Sequence, residues 1–497
     1  MKFVILAAGR GTRIGRAGAA LHKALVPLGD RAVLSHLLDL APPFAEVIIC
    51  LGDRGHQIRE YVALAHPNKH VTFVDVDGWD GVGGGPGHSL LAARSAVGDD
   101  EFVFTSCDTL WERDERLWKV DGSSWMGVAP VPAGTPPERW CRVAADGDGV
   151  IVIVDKEPGA AYARWAYVGL ARICRDDAPA FWVGVEGGDL VGSERQVSGG
   201  LKALDGLEVR RVTWTDVGDA QAYHDAVART SGYDWTKLDE ATFVLPTEGR
   251  VVKYWQDGTV ITRRLARIES LGEAVPALIA RGANMLAYQY VPGVTGYVAA
   301  EETGTNMTRA LLEWGRRTLW SRASVHPAHA RTRAFSFYHD KTHARAAMLP
   351  PDLRDRVQDV VSRIDFDALV AGVEPGIVHG DFNLGNVLVR NGDGFIGIDW
   401  REDFAGETGW GDVRYDYAKL MAGMVVHWGR ARYGDFRVWE DGRAHLDVVR
   451  HALPSSLSCK DVEVIGALSL LNSAPLHASP LDEVCVARGC AWLEEVL

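Results

Sequence analysis

The chain has 497 residues, a net charge of −13 and a sequence pI near 5.7. That acidic balance excludes a non-specific nucleic-acid binder, which needs a basic face, so any phosphate site must be a local positive pocket. No apolar stretch reaches the roughly 18 residues of a spanning helix, and the N-terminus enters an apolar run directly, so no membrane insertion or signal peptide is expected and the location is cytoplasmic.

The length calls for two or three domains. Residues 2–8 (Lys-Phe-Val-Ile-Leu-Ala-Ala) form an apolar run of strand length that passes into Gly9-Arg10-Gly11-Thr12-Arg13. Glycine lets backbone approach phosphate, and successive amide N–H groups beside arginines suit a polyphosphate, although an ordinary tight turn has the same look. Lys23 and Pro27 follow, then a glycine-rich stretch with Pro86 and Gly87 before a helical segment. Residues 102–107 predict a strand that ends at Asp108, and Cys107 reads as strand packing rather than a nucleophile. Lys156 lies in Asp-Lys-Glu-Pro, residues 165–171 predict a further strand containing Gly169, and Asp216 precedes Val217-Gly218, with Asp219 and Asp225 as alternatives. Residues 220–228 read as a closing helix. The plain alternatives are solvated charges for Arg13, Lys23 and Lys156 and a turn cap for Asp108.

Together these residues resemble the sugar-nucleotide pyrophosphorylase and cytidylyltransferase superfamily, in which a phosphomonoester attacks a nucleoside triphosphate and pyrophosphate leaves. The resemblance covers residues 1–228 and implies an α/β, Rossmann-like, GT-A-like mixed sheet. It implies that Leu6, Ala8, Gly9, Gly11, Thr12, Arg13, Lys23, Pro86 and Gly87 bind the nucleotide, with Lys23 and Arg13 catalytic. Asp108 and Asp216 would share Mg2+, and Lys156 and Gly169 would meet the acceptor. One anionic phosphate must attack another, so cations are needed at the reacting centre. One departure is His22, which stands where the family has proline. Of the seventeen tryptophans, Trp79, Trp111, Trp118, Trp125, Trp140 and Trp165 fall here; core packing is expected for most, with an aromatic cage for a quaternary ammonium as the other reading.

A polar, turn-prone boundary is expected near 229–240. Residues 242–245 and 251–255 then predict a hairpin carrying Lys253, a candidate for the ATP phosphates, with Glu269 available as its partner on an amphipathic stretch from 263 to 271. Residues 285–293 read as a strand running into a hinge. His379-Gly380-Asp381-Phe382-Asn383-Leu384-Gly385-Asn386 lies between apolar runs, and a hairpin turned at 391–394 returns Asp399 to it. That spacing suits phosphoryl transfer, with Asp381 orienting the attacking hydroxyl and Asn386 and Asp399 holding Mg2+ on ATP; the plain alternative is ordinary turn residues.

This half resembles the aminoglycoside phosphotransferase and choline kinase-like family. The resemblance covers 240–497 and implies an α+β bilobal protein kinase-like fold, with a small lobe of about 240–293 and a large lobe of about 294–497. It also implies that residues 411–420 brace the loop through a structural Asp416, that His379 has a bracing role, and that backbone groups near 285–293 bind adenine. Seven cysteines without a paired C-x-x-C fit reduced thiols, and the sixteen histidines show no metal-ligand spacing.

The two halves make sense in series. A kinase would phosphorylate a small alcohol with ATP, and a nucleotidyltransferase would couple the product to a second nucleotide, CTP favoured, as an activated precursor for a surface polymer. A small amino-alcohol or polyol is the first acceptor class. A sugar kinase paired with a sugar-1-phosphate nucleotidyltransferase is the alternative, and an antibiotic-modifying kinase leaves the first half without purpose. A regulatory or scaffold protein that lost the chemistry is the reading of another class, opposed by the intact Asp381, Asn386, Asp399, Asp108 and Lys23. Small molecules and nucleotides are the expected partners, with oligomer formation open.

Overall fold

A computed structural model of the protein describes residues 1–118, 122–132, 136, 139–156, 162–231, 239–390 and 394–497. Residues 157 and 158, most of the turn expected at 391–394 and most of the boundary expected at 229–240 lie outside the described residues. The chain packs as two compact units: Met1–Glu248 with Val252–Gln256, and Gly249–Val251 with Asp257–Leu497. The break therefore falls inside the strand Arg250–Trp255 rather than at 229–240. The reason is local bonding within the first unit, where Val244 N–H donates to the Asp30 carbonyl at 2.7 Å and the Tyr254 hydroxyl donates to the Ala20 carbonyl at 3.0 Å.

The first unit is built on a nine-stranded mixed sheet in the order Val71–Asp75, Glu46–Leu51, Lys2–Ala7, Phe102–Ser106, Trp165–Ile173, Trp125–Pro130, Glu208–Arg211, Gly149–Asp155, Cys141–Asp146. Lys2–Ala7 pairs in parallel with Glu46–Leu51 on one side and with Phe102–Ser106 on the other. Strands covered on both faces read as continuous apolar runs, and Phe3, Val4, Ile5 and Ala7 are all fully buried. Val4, Phe102 and Phe104 join Phe181 and Trp182 in one core cluster, with Phe102 stacked on Trp182 at 5.0 Å. The chain leaves the central strand for both neighbours, which makes a crevice at the carboxyl ends of the strands, where ligands bind in open α/β sheets. The Gly9–Arg13 loop and Asp108 both emerge there.

A short turn, Lys23–Leu25, follows that loop, and His22 caps it: its Nδ1 accepts from Ala24 N–H at 3.1 Å, while its own N–H donates to Gln57 Oε1 at 2.8 Å. Gln57 and Arg54 hold the approach by donating to the carbonyls of Ala20 (2.9 Å) and of Gly18 and Leu21 (2.7 and 3.0 Å). His22 therefore does by hydrogen bonding what a proline would do by ring geometry. It is 1 % exposed, and burial, followed by the charges of Lys23 and Arg54, lowers its pKa to about 3.

In the second unit the strands Leu278–Arg281 and Met285–Gln289 pair antiparallel, and a helix-rich portion follows. The loop around Asp381 is framed by two short pairings: Pro375–Gly376 against Gly411–Asp412, and Val387–Val389 against Phe395–Gly397. The second pairing sets Val387 opposite Gly397, so Asn386 and Asp399 flank the same end of the hairpin. Beneath the loop runs the buried helix Val413–Val425, whose Asp416 carboxylate accepts from the N–H groups of His379 and Gly380, each at 2.7 Å, and from Trp320 Nε1 at 2.9 Å. Burial raises the Asp416 pKa to about 6 against these bonds, and burial lowers that of His379 to about 4.

Two outcomes are expected. Asp416→Ala strands two buried backbone N–H groups and should lower the unfolding free energy of its unit by about 3 kcal/mol in a urea titration; a loss below about 0.5 kcal/mol would show that the brace is unimportant. His22 and His379 are neutral in the fold but take a proton near pH 6.5 when unfolded, so the stability they contribute is complete above pH 6.5 and is lost as the pH falls towards 4 and then 3. The unfolding temperature should fall over that window, and His22→Gln should flatten the fall; an unchanged slope would remove His22 from the account.

Candidate active sites in the two units

In the first unit, Lys23 Nζ lies 2.8 Å from Asp108 Oδ2, with both side chains largely buried. Burial works against both charges, but the partner's opposite charge outweighs it, so the Lys23 pKa is raised and that of Asp108 lowered. Gly11 has φ of 65°, and a Cβ there would stand 2.8 Å from Lys23 Cδ, so both the backbone and the passing lysine require glycine. Asp216 arrives because its strand, Trp214–Asp216, pairs antiparallel with Thr109–Trp111, opposing Asp216 to Thr109. Asp216 Oδ1 accepts from Gly218 N–H at 2.8 Å, and a Cβ on Gly218 would be 3.0 Å from an oxygen of Asp108 and 3.0 Å from one of Asp216. The two carboxylates thus converge beside Gly218. Burial lifts Asp216 above its usual range; the Gly218 N–H restrains it and the Asp108 charge adds to the lift. Arg13, exposed on its loop, acts electrostatically on Lys23, Asp108 and Asp216. The alternatives to Asp216 are occupied elsewhere: Asp219 pairs with Arg139 and accepts from Ala222 N–H at 3.0 Å, and Asp225 accepts from Gln221.

Around this centre, Leu6 and Ala8 are buried, and their carbonyls accept from Cys107 and Asp53 N–H. Gly9 and Thr12 are exposed on the loop. Gly169 sits at a register shift between Trp165–Ile173 and Trp125–Pro130 with φ of 85°, and a Cβ there would be 2.8 Å from Ser106 Oγ. Pro86 and Gly87 open the helix Pro86–Ala92, and a Cβ on Gly87 would be 2.7 Å from the Gln196 carbonyl. Lys156 is not drawn in with Asp108. Its half-exposed side chain reaches to 4.0 Å from Glu194, from a backbone with φ of 51°. Of the tryptophans, Trp111 and Trp125 are buried, and Trp118 lies 6.3 Å from each of those rings, which is core packing.

In the second unit, Asp381 Oδ1 lies 2.7 Å from Lys419 Nζ, and its Oδ2 accepts from Asn386 Nδ2 at 2.7 Å. Burial opposes the Asp381 charge, yet Lys419 prevails and the pKa is lowered. Asp399 approaches from the hairpin with φ of 59° and is felt by Asp381 as a neighbouring negative charge. His379 Nδ1 accepts from Asp381 N–H at 3.3 Å, a bracing contact. Lys419 lies in the bracing segment 411–420 without a motif of its own. The signal was its spacing, three residues after Asp416 on one helix, which turns both to the same face.

The helix Thr259–Leu271 departs from expectation. Glu269 is exposed, and the buried polar side chains are Arg264 and Arg267, again three apart. Arg264 donates to the Trp400 carbonyl, and Arg267 donates to the carbonyls of Val378 and Thr408, so the helix secures the backbone on both sides of Asp381 and Asp399. Lys253 belongs to the first unit, is 2 % exposed, and lies 3.9 Å from Glu240 with the Trp255 ring 5.5 Å away.

Among the described residues no group of three or more His, Cys, Asp or Glu is arranged to hold a metal ion. Mg2+ usually takes one or two carboxylates, completing its shell with water and phosphate, and the oxygens of Asp108 and Asp216 that meet beside Gly218 suit that ion, whereas the Asp399 carboxylate lies 3.7 Å from Arg264. No helix among the described residues is long and apolar enough to cross a membrane.

Residues 3–119 match the family described as MobA-like NTP transferase domain, and residues 261–450 match the phosphotransferase enzyme family. The chain is 28 % identical over 236 residues to the bifunctional protein GlmU of Halorhodospira halophila, across 45 % of this chain and 46 % of that protein. It is 30 % identical over 162 residues to the glucose-1-phosphate cytidylyltransferase of Salmonella typhimurium, across 28 % of this chain and 63 % of that protein. The chain thus spans less than half the length of that GlmU. A solved UDP-glucose pyrophosphorylase from Acinetobacter baumannii aligns with a TM-score of 0.38 at 20 % identity, over 46 % of this chain and 93 % of that one. The chain therefore carries a MobA-like NTP transferase domain followed by a domain of the phosphotransferase enzyme family.

Proposed function

We propose that the protein is a bifunctional enzyme: the second unit phosphorylates a small alcohol with ATP, and the first couples the resulting phosphomonoester to a nucleotide, with release of pyrophosphate. The observation that carries this reading is that each unit sets an aspartate against a lysine, Lys23 with the buried Asp108 and Lys419 with the partly exposed Asp381, on the loops whose spacing suits phosphate chemistry.

In the first reaction the acceptor oxygen bonds to the γ-phosphorus, the bond to the β,γ-bridging oxygen breaks with its electrons leaving on ADP, and the hydroxyl proton moves towards Asp381. Asn386 orients the Asp381 carboxylate, and Lys419 keeps it ionised and so able to accept. In the second reaction the phosphomonoester oxygen attacks the α-phosphorus, and pyrophosphate departs. Gly9, Gly11, Thr12 and Arg13 cradle the triphosphate, Pro86 and Gly87 face the base, and Lys156 and Gly169 lie on the acceptor side. Lys23 and Arg13 offset the charge that builds on the phosphates. Asp108 and Asp216 in one unit, and Asn386 and Asp399 in the other, would hold Mg2+, which would supply Lewis-acid charge to the phosphate oxygens.

CTP is the favoured nucleotide, supported by the likeness to a cytidylyltransferase. The same likeness supports a second reading, in which the kinase makes a sugar 1-phosphate and the product is a nucleotide sugar. Supply of surface-polymer synthesis is the expected use of either product.

Phosphorus NMR with ATP, Mg2+ and pyrophosphatase, across a panel of alcohols and nucleoside triphosphates, tests the scheme. A phosphomonoester that turns into a diphosphodiester with one nucleotide is the expected result. Asp381→Asn should slow phosphorylation by about 10²-fold or more while leaving pyrophosphate release from added phosphomonoester intact, and Asp108→Ala should do the reverse. Loss of both activities in each variant would overturn the division of labour. Lys419→Met should lower the phosphorylation kcat about tenfold at neutral pH and move the acid limb of its pH profile upward; a profile that stays in place would leave Lys419 a structural residue.

A further inference from the structure

Beside Asp381 the second unit gathers cations that phosphoryl transfer does not itself require. Lys341 starts the helix Lys341–Ala346, and its Nζ lies 4.2 Å from the centroid of the Phe337 ring. The Arg401 guanidinium lies 5.2 Å from that same centroid. Arg401 is tied to the catalytic loop: its N–H donates to the His379 carbonyl at 3.0 Å, and a Cβ on Gly380 would touch Arg401 Cβ at 2.7 Å. Lys419 completes the group. The cations feel one another, since Lys341 is held well below the usual lysine range by burial first and then by Arg401, Arg345 and Lys419.

The carboxylates that face this cluster are Asp381, Glu402 and Asp403, together with the Tyr415 hydroxyl. Each carboxylate has a cation within ion-pair distance other than Lys341 or Arg401: Asp381 has Lys419 at 2.7 Å, Asp403 has Arg263 at 3.2 Å, and Glu402 has Arg264 at 3.5 Å, a partner shared with Asp399 at 3.7 Å. Among the described residues, neither Lys341 Nζ nor the Arg401 guanidinium makes a hydrogen bond or an ion pair, and Arg401 Nε is buried without a partner. Burial and the neighbouring cations act against the Lys341 charge, whereas Arg401 is held up at longer range by Tyr415, Glu402, Asp381 and Asp403; an anion bound beside Lys341 and Arg401 relieves the cost at Lys341.

We propose that Lys341 and Arg401 bind an anionic group on the alcohol phosphorylated at Asp381, so that the acceptor is an alcohol bearing a carboxylate or a phosphate. This rests on the kinase reading above and narrows it. The anion anchors the acceptor while its hydroxyl faces Asp381; the new bond joins that oxygen to the γ-phosphorus, ADP leaves, and the anionic group is unchanged. A choline-like cation would meet repulsion at the same place.

The test measures ADP release with glycerate, glycerol 3-phosphate and glucuronate against glycerol, glucose, ethanolamine and choline. An anionic acceptor should have a KM at least about tenfold below that of its neutral counterpart, and glycerate against glycerol 3-phosphate separates the carboxylate source from the phosphate source. Lys341→Gln should raise that KM about tenfold or more while leaving the KM for ATP within about twofold; Arg401→Gln is the second variant. Faster turnover of neutral or cationic acceptors, or a Lys341→Gln effect on ATP alone, would overturn the proposal while leaving the kinase reading intact. If no acceptor releases ADP, the kinase reading fails, and calorimetric titration decides the anion site separately. Glycerate or glycerol 3-phosphate bound by the wild type and weakened by Lys341→Gln would sustain the site, and absence of binding would end it.

Discussion

In each unit a lysine holds a wholly or partly buried aspartate in its ionised form. A carboxylate taken out of water tends to recover a proton, and a protonated acid can neither accept from a hydroxyl nor hold a cation. The protein meets this constraint twice with the same device, a lysine ammonium at 2.8 Å from Asp108 and at 2.7 Å from Asp381. Much of the surrounding architecture serves the lysines. Gly11 leaves room for the stem of Lys23, His22 and Gln57 hold its turn, and the helix Val413–Val425 carries Lys419 at a fixed distance from the loop it serves.

The two units reach this arrangement by different routes. In the first, topology does the positioning: parallel strands on either side of Lys2–Ala7 bring separate loops to one crevice, and the pairing of Trp214–Asp216 with Thr109–Trp111 adds the second carboxylate from far along the chain. In the second, one buried helix supplies both the acceptor that braces the backbone, Asp416, and the cation that tunes the site, Lys419. Arg264 and Arg267 complete the frame by donating to backbone carbonyls near Asp399 and Asp381. A site of this kind is held largely through main-chain atoms, which leaves its side chains available for chemistry.

What could be read from the sequence follows from how local each feature is. Asp381, Asn386 and Asp399 lie within twenty residues, on a loop and a short hairpin, and their spacing alone indicates their grouping. The Gly9–Arg13 loop and the strand ending at Asp108 are equally local. Lys419, Arg264, Arg267, Lys341 and Arg401 matter through tertiary contacts, and each looks like a solvated charge on its own element. Glu269 and the buried Arg264 and Arg267 share one helix, and helical spacing shows which residues share a face but not which face turns inward. The unit break inside Arg250–Trp255 depends on the Tyr254 and Val244 bonds to distant carbonyls, which composition does not encode.

Asp399 stands at φ of 59°, in the region that asparagine and aspartate tolerate best among residues with a side chain. The turn of the main chain sets the direction in which its short side chain leaves the backbone. Glycine would relax the backbone but remove the oxygen donors altogether. Asparagine is the substitution that keeps both the backbone preference and an oxygen there, changing the charge offered but not the reach.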